Sequence, residues 1–189
     1  MVEFYERACE RLAEAEILQY EISNFSYSGK ESGHNLKYWK RQPYLGFGVD
    51  AHSMLKVDRA GKNFSEDKRT ETDETVSPWR GFEAVRFAMP DSLEGYIAVR
   101  PPKRTPLSRQ AAIEEIFFLG LRLIRGVDLR QAATQFGVDS INEFAATISE
   151  LKENGLLESD GSVIRLTTRG RLLSNEVFEK FITIAESVG

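Results

Sequence analysis

The stretch His34-Asn35-Leu36-Lys37-Tyr38-Trp39 holds one of the chain's two histidines, one of its two tryptophans and a tyrosine within six residues. An imidazole can ligate a metal, an amide can donate and accept hydrogen bonds, and two aromatic rings supply flat, stackable surface. On a helix beginning near Ser32, His34 and Tyr38 share one face and Asn35 and Trp39 the adjacent one, because residues four apart are neighbours. Two readings stand at this point: a ligand patch, or an amphipathic helix with inward aromatics and a solvated or hydrogen-bonded histidine.

The elements that would position this patch follow from periodicity. Tyr5, Ala8, Leu12 and Ala15 recur at three- and four-residue steps and predict an amphipathic helix over residues 2–16, with Cys9 packed beside its stripe. Leu18, Tyr20 and Ile22 alternate with Gln19, Glu21 and Ser23, which predicts a strand from Leu18 to Phe25. Helix followed by strand is the αβ unit of a barrel or parallel sheet. The loop Ser26 to Ser32 then places His34 just after a strand, where (β/α) barrels carry their sites. Tyr44 to Leu55 reads as a second strand, with Leu45, Phe47, Val49 and Ala51 facing a core and Tyr44, Gly46, Gly48, Asp50 and His52 on the other face. Glycines there mark a bulge or the close approach of a ligand or backbone. A closing strand with His52 hydrogen-bonded inside a barrel is the alternative.

Residues 58–77 are polar and predict a hairpin or loop. Glu83 to Phe87 reads as a strand, and Pro90-Asp91-Ser92 opens a short helix through Tyr96 and Ile97. Arg100 to Pro106 cannot continue a helix, so a boundary falls there. Three segments result: 1–57, the end of a (β/α) barrel; 58–105, a polar connecting segment; and 106–189, a helical C-terminal domain. In the last, Leu107-Ser108 caps a helix to Ile124 that turns Ile113, Ile116, Phe117, Leu121 and Ile124 inward and ends at Gly126. Helices follow over Asp128 to Phe136 and Ile141 to Glu153. Gly155 to Glu158 and Val163 to Leu166 flank Ser159-Asp160-Gly161-Ser162 as a hairpin. Thr168 caps a last helix through Phe181. The fold class is α+β, ending in a winged-helix-like module. Gly170-Arg171-Leu172 marks either close packing against a neighbour or a plain helix start.

At 189 residues, 41% hydrophobic and net charge −4, the composition is that of an ordinary globular chain without a basic field for nucleic acid or an anionic membrane. No apolar run approaches the roughly 18 residues of a membrane span, so a cytoplasmic location is expected and any membrane association peripheral. Cys9 is the only cysteine, which excludes an internal disulfide and a cluster held by three or four thiolates of this chain.

Tyr20-Glu21-Ile22-Ser23-Asn24-Phe25, then His34-Asn35-Leu36-Lys37-Tyr38-Trp39, then Tyr44-Leu45-Gly46-Phe47-Gly48-Val49-Asp50-Ala51-His52-Ser53 occur in an order that closely resembles one family. It is the radical SAM oxygen-independent coproporphyrinogen III oxidase-like proteins, and within them the heme-chaperone, HemW-like branch. Gly120-Leu121-Arg122, Gly126 to Leu129 and Leu166 to Leu173 resemble the same family's C-terminal domain. The resemblance implies that His34 is an axial ligand of heme iron, supported by Asn35, Tyr38 and Trp39. Lys37, Lys40 and Arg41 lie close enough in sequence to meet the propionates. It implies also that Gly46, Gly48, Asp50 and His52 line an S-adenosylmethionine cavity, although Asp50 stands where the family usually has a small residue.

Family members open with CxxxCxxC around a [4Fe–4S] cluster. The resemblance therefore implies that this chain corresponds to a C-terminal half, with S-adenosylmethionine and [4Fe–4S] confined to the full-length protein and the N-terminal radical SAM half a missing partner. The implied function is heme binding and delivery to apo-hemoproteins. The alternative is oxygen-independent coproporphyrinogen III oxidation in porphyrin biosynthesis, which needs a radical this chain alone cannot generate. A winged-helix nucleic-acid-binding protein is the third reading, but Glu143, Glu150 and Glu153 face one Lys152 on the candidate recognition helix, and residues 107–189 hold nine Lys and Arg against twelve Asp and Glu.

Overall fold

The computed structural model describes residues 2–57, 79 and 81–182. They form two compact units, Met1–Arg41 with Ile113–Gly189, and Gln42–Ala112. The polar stretch 58–78 lies outside the described residues. Among the described residues no helix is long and apolar enough to cross a membrane.

The first unit opens with α1 (Val2–Glu14), none of whose residues is fully buried. Its half-buried stripe is Tyr5, Cys9 and Leu12, whereas Ala8 and Ala15, expected inward, are exposed. Small alanines contribute little burial, so the larger side chains set the helix rotation. The single strand expected from Leu18 to Phe25 is instead a hairpin, β1 (Leu18–Glu21) and β2 (Asn24–Ser26), in antiparallel register Leu18↔Ser26 and Glu21↔Asn24. The reversal has a local cause: the Glu21 carboxylate accepts the Ser23 amide at 2.9 Å and the Asn24 side-chain amide, a competitor to continued strand pairing. All strand pairings among the described residues are antiparallel, in place of the parallel αβ unit that the helix-then-strand order suggested. Then comes α2 (Gly33–Trp39), capped by the Ser32 hydroxyl.

From Ile113 on, α4 (Arg109–Gly120) lies in this unit, followed by β6 (Val127–Asp128), α5 (Leu129–Phe136), α6 (Val138–Asn142), α7 (Ala145–Glu153), β7 (Leu157–Asp160), β8 (Val163–Leu166), α8 (Thr168–Leu172) and α9 (Ser174–Glu179). The helix expected to reach Ile124 stops at Gly120, because the next residues leave it to bond with the hairpin: Arg122 accepts the Ile22 amide and Ile124 donates to Tyr20. The helix expected over Ile141 to Glu153 breaks between α6 and α7, and the last one breaks at Leu173. The β7–β8 hairpin is found as expected, its tip formed by Gly161 at φ 57°. Gly170 is buried, and a methyl there would overlap the Leu156 carbonyl, so close packing explains the glycine. The core is aromatic: Phe117 stacks on Phe181 with centroids 4.7 Å apart and tilts against Phe144 at 4.7 Å.

Asp128 caps α5 by accepting the Arg130 amide at 2.9 Å. A hydrogen bond from Ser162, and then the Arg130 and Gln131 amides, hold its carboxyl below the usual range. A depressed folded pKa contributes stability that is present above the unfolded value of about 3.9 and lost as pH falls through the folded one. The melting temperature is therefore expected to fall on acidification below about pH 4, and Asp128→Asn should flatten that part of the decline. An unchanged acid limb in the variant would contradict this.

The second unit is a three-stranded antiparallel sheet, β3 (His52–Lys56), β4 (Ala84–Ala88) and β5 (Lys103–Leu107), with β4 central and α3 (Leu93–Ile97) between β4 and β5 in sequence. Met54, Ala84, Val85, Phe87 and Leu107 are buried. β5 occupies the stretch where a boundary was expected; its Pro106, opposite Val85, is tolerated because β5 is an edge strand. The strand expected from Tyr44 to Leu55 is a reversal: Tyr44 pairs with Met54 through two 3.0 Å bonds, and the intervening loop turns at Gly48 (φ 110°) and Asp50 (φ 56°). Leu45, Phe47 and Val49, expected in a core, are exposed, Phe47 by 86%.

Candidate functional site

The short helix α2 carries the patch. Its N-terminus is fixed by Ser32, whose hydroxyl accepts the Asn35 amide at 3.3 Å. Side chains 100° apart per residue put Trp39 about 140° around the helix from His34, so an inward tryptophan sends the histidine outward. That is the arrangement observed: Trp39 is half-buried and His34 exposed. The His34 ring meets Tyr38 edge-on, centroids 4.9 Å apart and planes at 71°, as the four-residue spacing predicts. The Asn35 side-chain amide reaches the Tyr20 hydroxyl at 3.4 Å, linking α2 to β1.

The C-terminal end of α2 is anchored by two arginines. The Arg122 guanidinium lies 4.3 Å over the Trp39 ring and 3.6 Å from the Glu21 carboxylate. Glu21 is wholly buried, which makes that cation its charge partner in the interior. Arg41 follows the helix with φ 50°, a left-handed backbone that glycine usually supplies at this position. Its guanidinium meets Glu115 at 2.8 Å, with both side chains nearly sequestered, at 9% and 4% exposure. Arg41 is thus committed to Glu115, and of the three cations expected to meet propionates only Lys37 and Lys40 are exposed.

Glu21, Glu115 and Arg122 escaped the sequence reading. No local signal marked Glu21, because it falls among the polar positions of the alternation, with Gln19 and Ser23. Among the described residues no three His, Cys, Asp or Glu side chains are grouped to hold a metal ion.

The second set of expected residues lies in the other unit and does not act as one group. Gly46 and Gly48 line an apolar cavity of about 260 Å³ with Leu45, Phe47, Phe87 and Tyr96. Asp50 and His52 do not line it; they face each other at 3.7 Å, both largely exposed. Gly46 is needed for close approach, because a methyl there would overlap the His52 carbonyl.

Residues 107–173 match the HemN C-terminal domain. The chain is 32% identical over 186 residues to the heme chaperone HemW of Bacillus subtilis, covering 95% of this chain and 42% of that protein. It is 30% identical to HemW of Lactococcus lactis, over 95% of this chain and 41% of that one. It therefore spans about two fifths of the length of these curated relatives. Among solved structures it resembles the coproporphyrinogen III oxidase HemN of Escherichia coli, a radical SAM enzyme, with TM-score 0.61 and 15% identity over 95% of this chain and 40% of that one. Residues 107–173 thus match the HemN C-terminal domain, and over 95% of its length the chain is similar to HemW heme chaperones.

Proposed function

We propose that this chain is the heme-handling part of a radical SAM heme chaperone, with His34 the axial ligand of the heme it carries and apo-hemoproteins the acceptors. The observation that supports this most is an exposed imidazole on a helix anchored from behind, with Tyr38 edge-on to it, Lys37 exposed on the same short helix and Lys40 exposed at its C-cap. An exposed ligand suits cargo better than a resident group, since iron has to be taken and given up. Asn35, Tyr38 and Trp39 act as supports. Hemin titration followed by the Soret band tests the reading.

The cluster chemistry of the family does not fit these residues. Cys9, half-buried on α1, is the sole thiol. Upon anaerobic reconstitution the chain is expected to hold no [4Fe–4S] cluster; stoichiometric iron and acid-labile sulfide per chain would contradict this. Nor does the cavity beside Gly46 and Gly48 amount to a whole S-adenosylmethionine site: about 260 Å³ falls below the roughly 300–1,000 Å³ of ligand pockets. It is assigned as one wall of such a site in longer relatives, with Asp50 and His52 at its margin.

Residues 1–57 are read as the last part of the radical SAM barrel, 58–105 as the connecting segment and 106–189 as a winged-helix-like domain. Coproporphyrinogen oxidation requires the radical this chain cannot make, so it ranks second. Nucleic-acid binding ranks third, because the acidic balance of 107–189 repels phosphate.

A further inference from the structure

We propose that Arg122, from the HemN C-terminal domain, is a positioning residue for the heme-ligating helix α2, acting through Trp39. The inference rests on the reading of His34 as ligand and goes beyond it by naming what holds that ligand in place.

A seven-residue helix is too short to persist on its own in water. None of its residues is fully buried, so packing alone does not hold it either. What fixes it is a chain of contacts that begins in the interior. Glu21 has no exposure; one carboxylate oxygen takes the Ser23 and Asn24 amides, and the other turns to Arg122 at 3.6 Å. Leaving that charge without a cation in the interior is costly, which pins the guanidinium. The Arg122 backbone is held as well, its carbonyl accepting the Ile22 amide at 3.0 Å while Glu21 bridges to Leu123. The pinned guanidinium carbon lies 4.3 Å over the Trp39 ring, a cation–π contact that arginine makes more often than lysine. Trp39 then sets the rotation of α2, and the rotation keeps His34 facing outward with Tyr38 against it. Without that clamp the helix frays, and its ordering must be supplied when heme binds.

The test uses the full chain and hemin. Arg122→Lys retains a charge for Glu21 and loses the guanidinium over Trp39. It should weaken hemin binding about tenfold, leave the position of the bound Soret band unchanged, and speed amide exchange across residues 33–39, with little change in melting temperature. Trp39→Leu leaves the Arg122–Glu21 pair in place, and adding Arg122→Lys to it should cause no further loss if Arg122 acts through Trp39. Fully additive losses, or wild-type exchange in either single variant, would overturn the positioning role while His34→Ala still abolished binding. Normal hemin binding by His34→Ala would instead overturn the ligand assignment, and this inference with it.

Discussion

Replacing His34 by alanine is expected to remove most of the Soret shift seen on hemin addition and to weaken binding by roughly a hundredfold or more. Groups that merely support a metal ligand typically change affinity by about 10–100-fold, so loss of the ligand itself should exceed that range. The structure sharpens the contrast with the other histidine. His34 sits on an anchored helix beside Tyr38, whereas His52 lies on β3 beside the carboxylate of Asp50, 3.7 Å away. His52→Ala should therefore leave the titration largely intact. Loss of binding in His52→Ala with retention in His34→Ala would reverse the assignment.

The second large effect concerns stability. Phe117 is fully buried and in ring contact with Phe144 and Phe181, so Phe117→Ala removes a side chain from the centre of the first unit's core. Phe→Ala in such sites costs about 3–5 kcal/mol, through lost transfer energy and the cavity left behind. Domains are stable by only about 5–15 kcal/mol, so the urea midpoint should drop sharply and part of the population should unfold at 37 °C. A loss below about 1 kcal/mol would mean that the three rings do not form the core described.

Several elements were legible because their causes are local. The α2 helix was expected to begin near Ser32, which caps it, and the β7–β8 hairpin followed from Asp160-Gly161 between two apolar runs. The segment around Phe47 was not. Alternation of Leu45, Phe47, Val49 and Ala51 imitates a strand, yet Gly48 and Asp50 take positive φ and turn the chain back on itself. Aspartate is among the few side chains that tolerate that region, so the turn leaves a fainter mark than a second glycine would. The break of the long helix at Gly120 was hidden for a different reason: it is imposed by pairing of Leu123 with Glu21, about a hundred residues earlier.

The candidate site shows the same division. Residue types and spacing exposed the face of α2 that carries His34 and Tyr38, because that face is a property of six consecutive residues. Its anchors were invisible, because Glu21–Arg122 and Arg41–Glu115 join positions remote in sequence. Arg41 illustrates the consequence. By proximity it belongs with Lys37 and Lys40 as a cation for propionates, but the fold turns it to Glu115 and leaves it 9% exposed.

The proposed ligation of iron by His34 is tested most directly by labelling the chain's two histidines with ¹⁵N and recording nitrogen hyperfine couplings of the bound ferric heme, for the wild type and each single histidine variant. A ¹⁵N coupling present in the wild type and in His52→Ala, and absent in His34→Ala, is the predicted result. A coupling that survives in His34→Ala and vanishes in His52→Ala, or a bound heme with no histidine coupling at all, would contradict it.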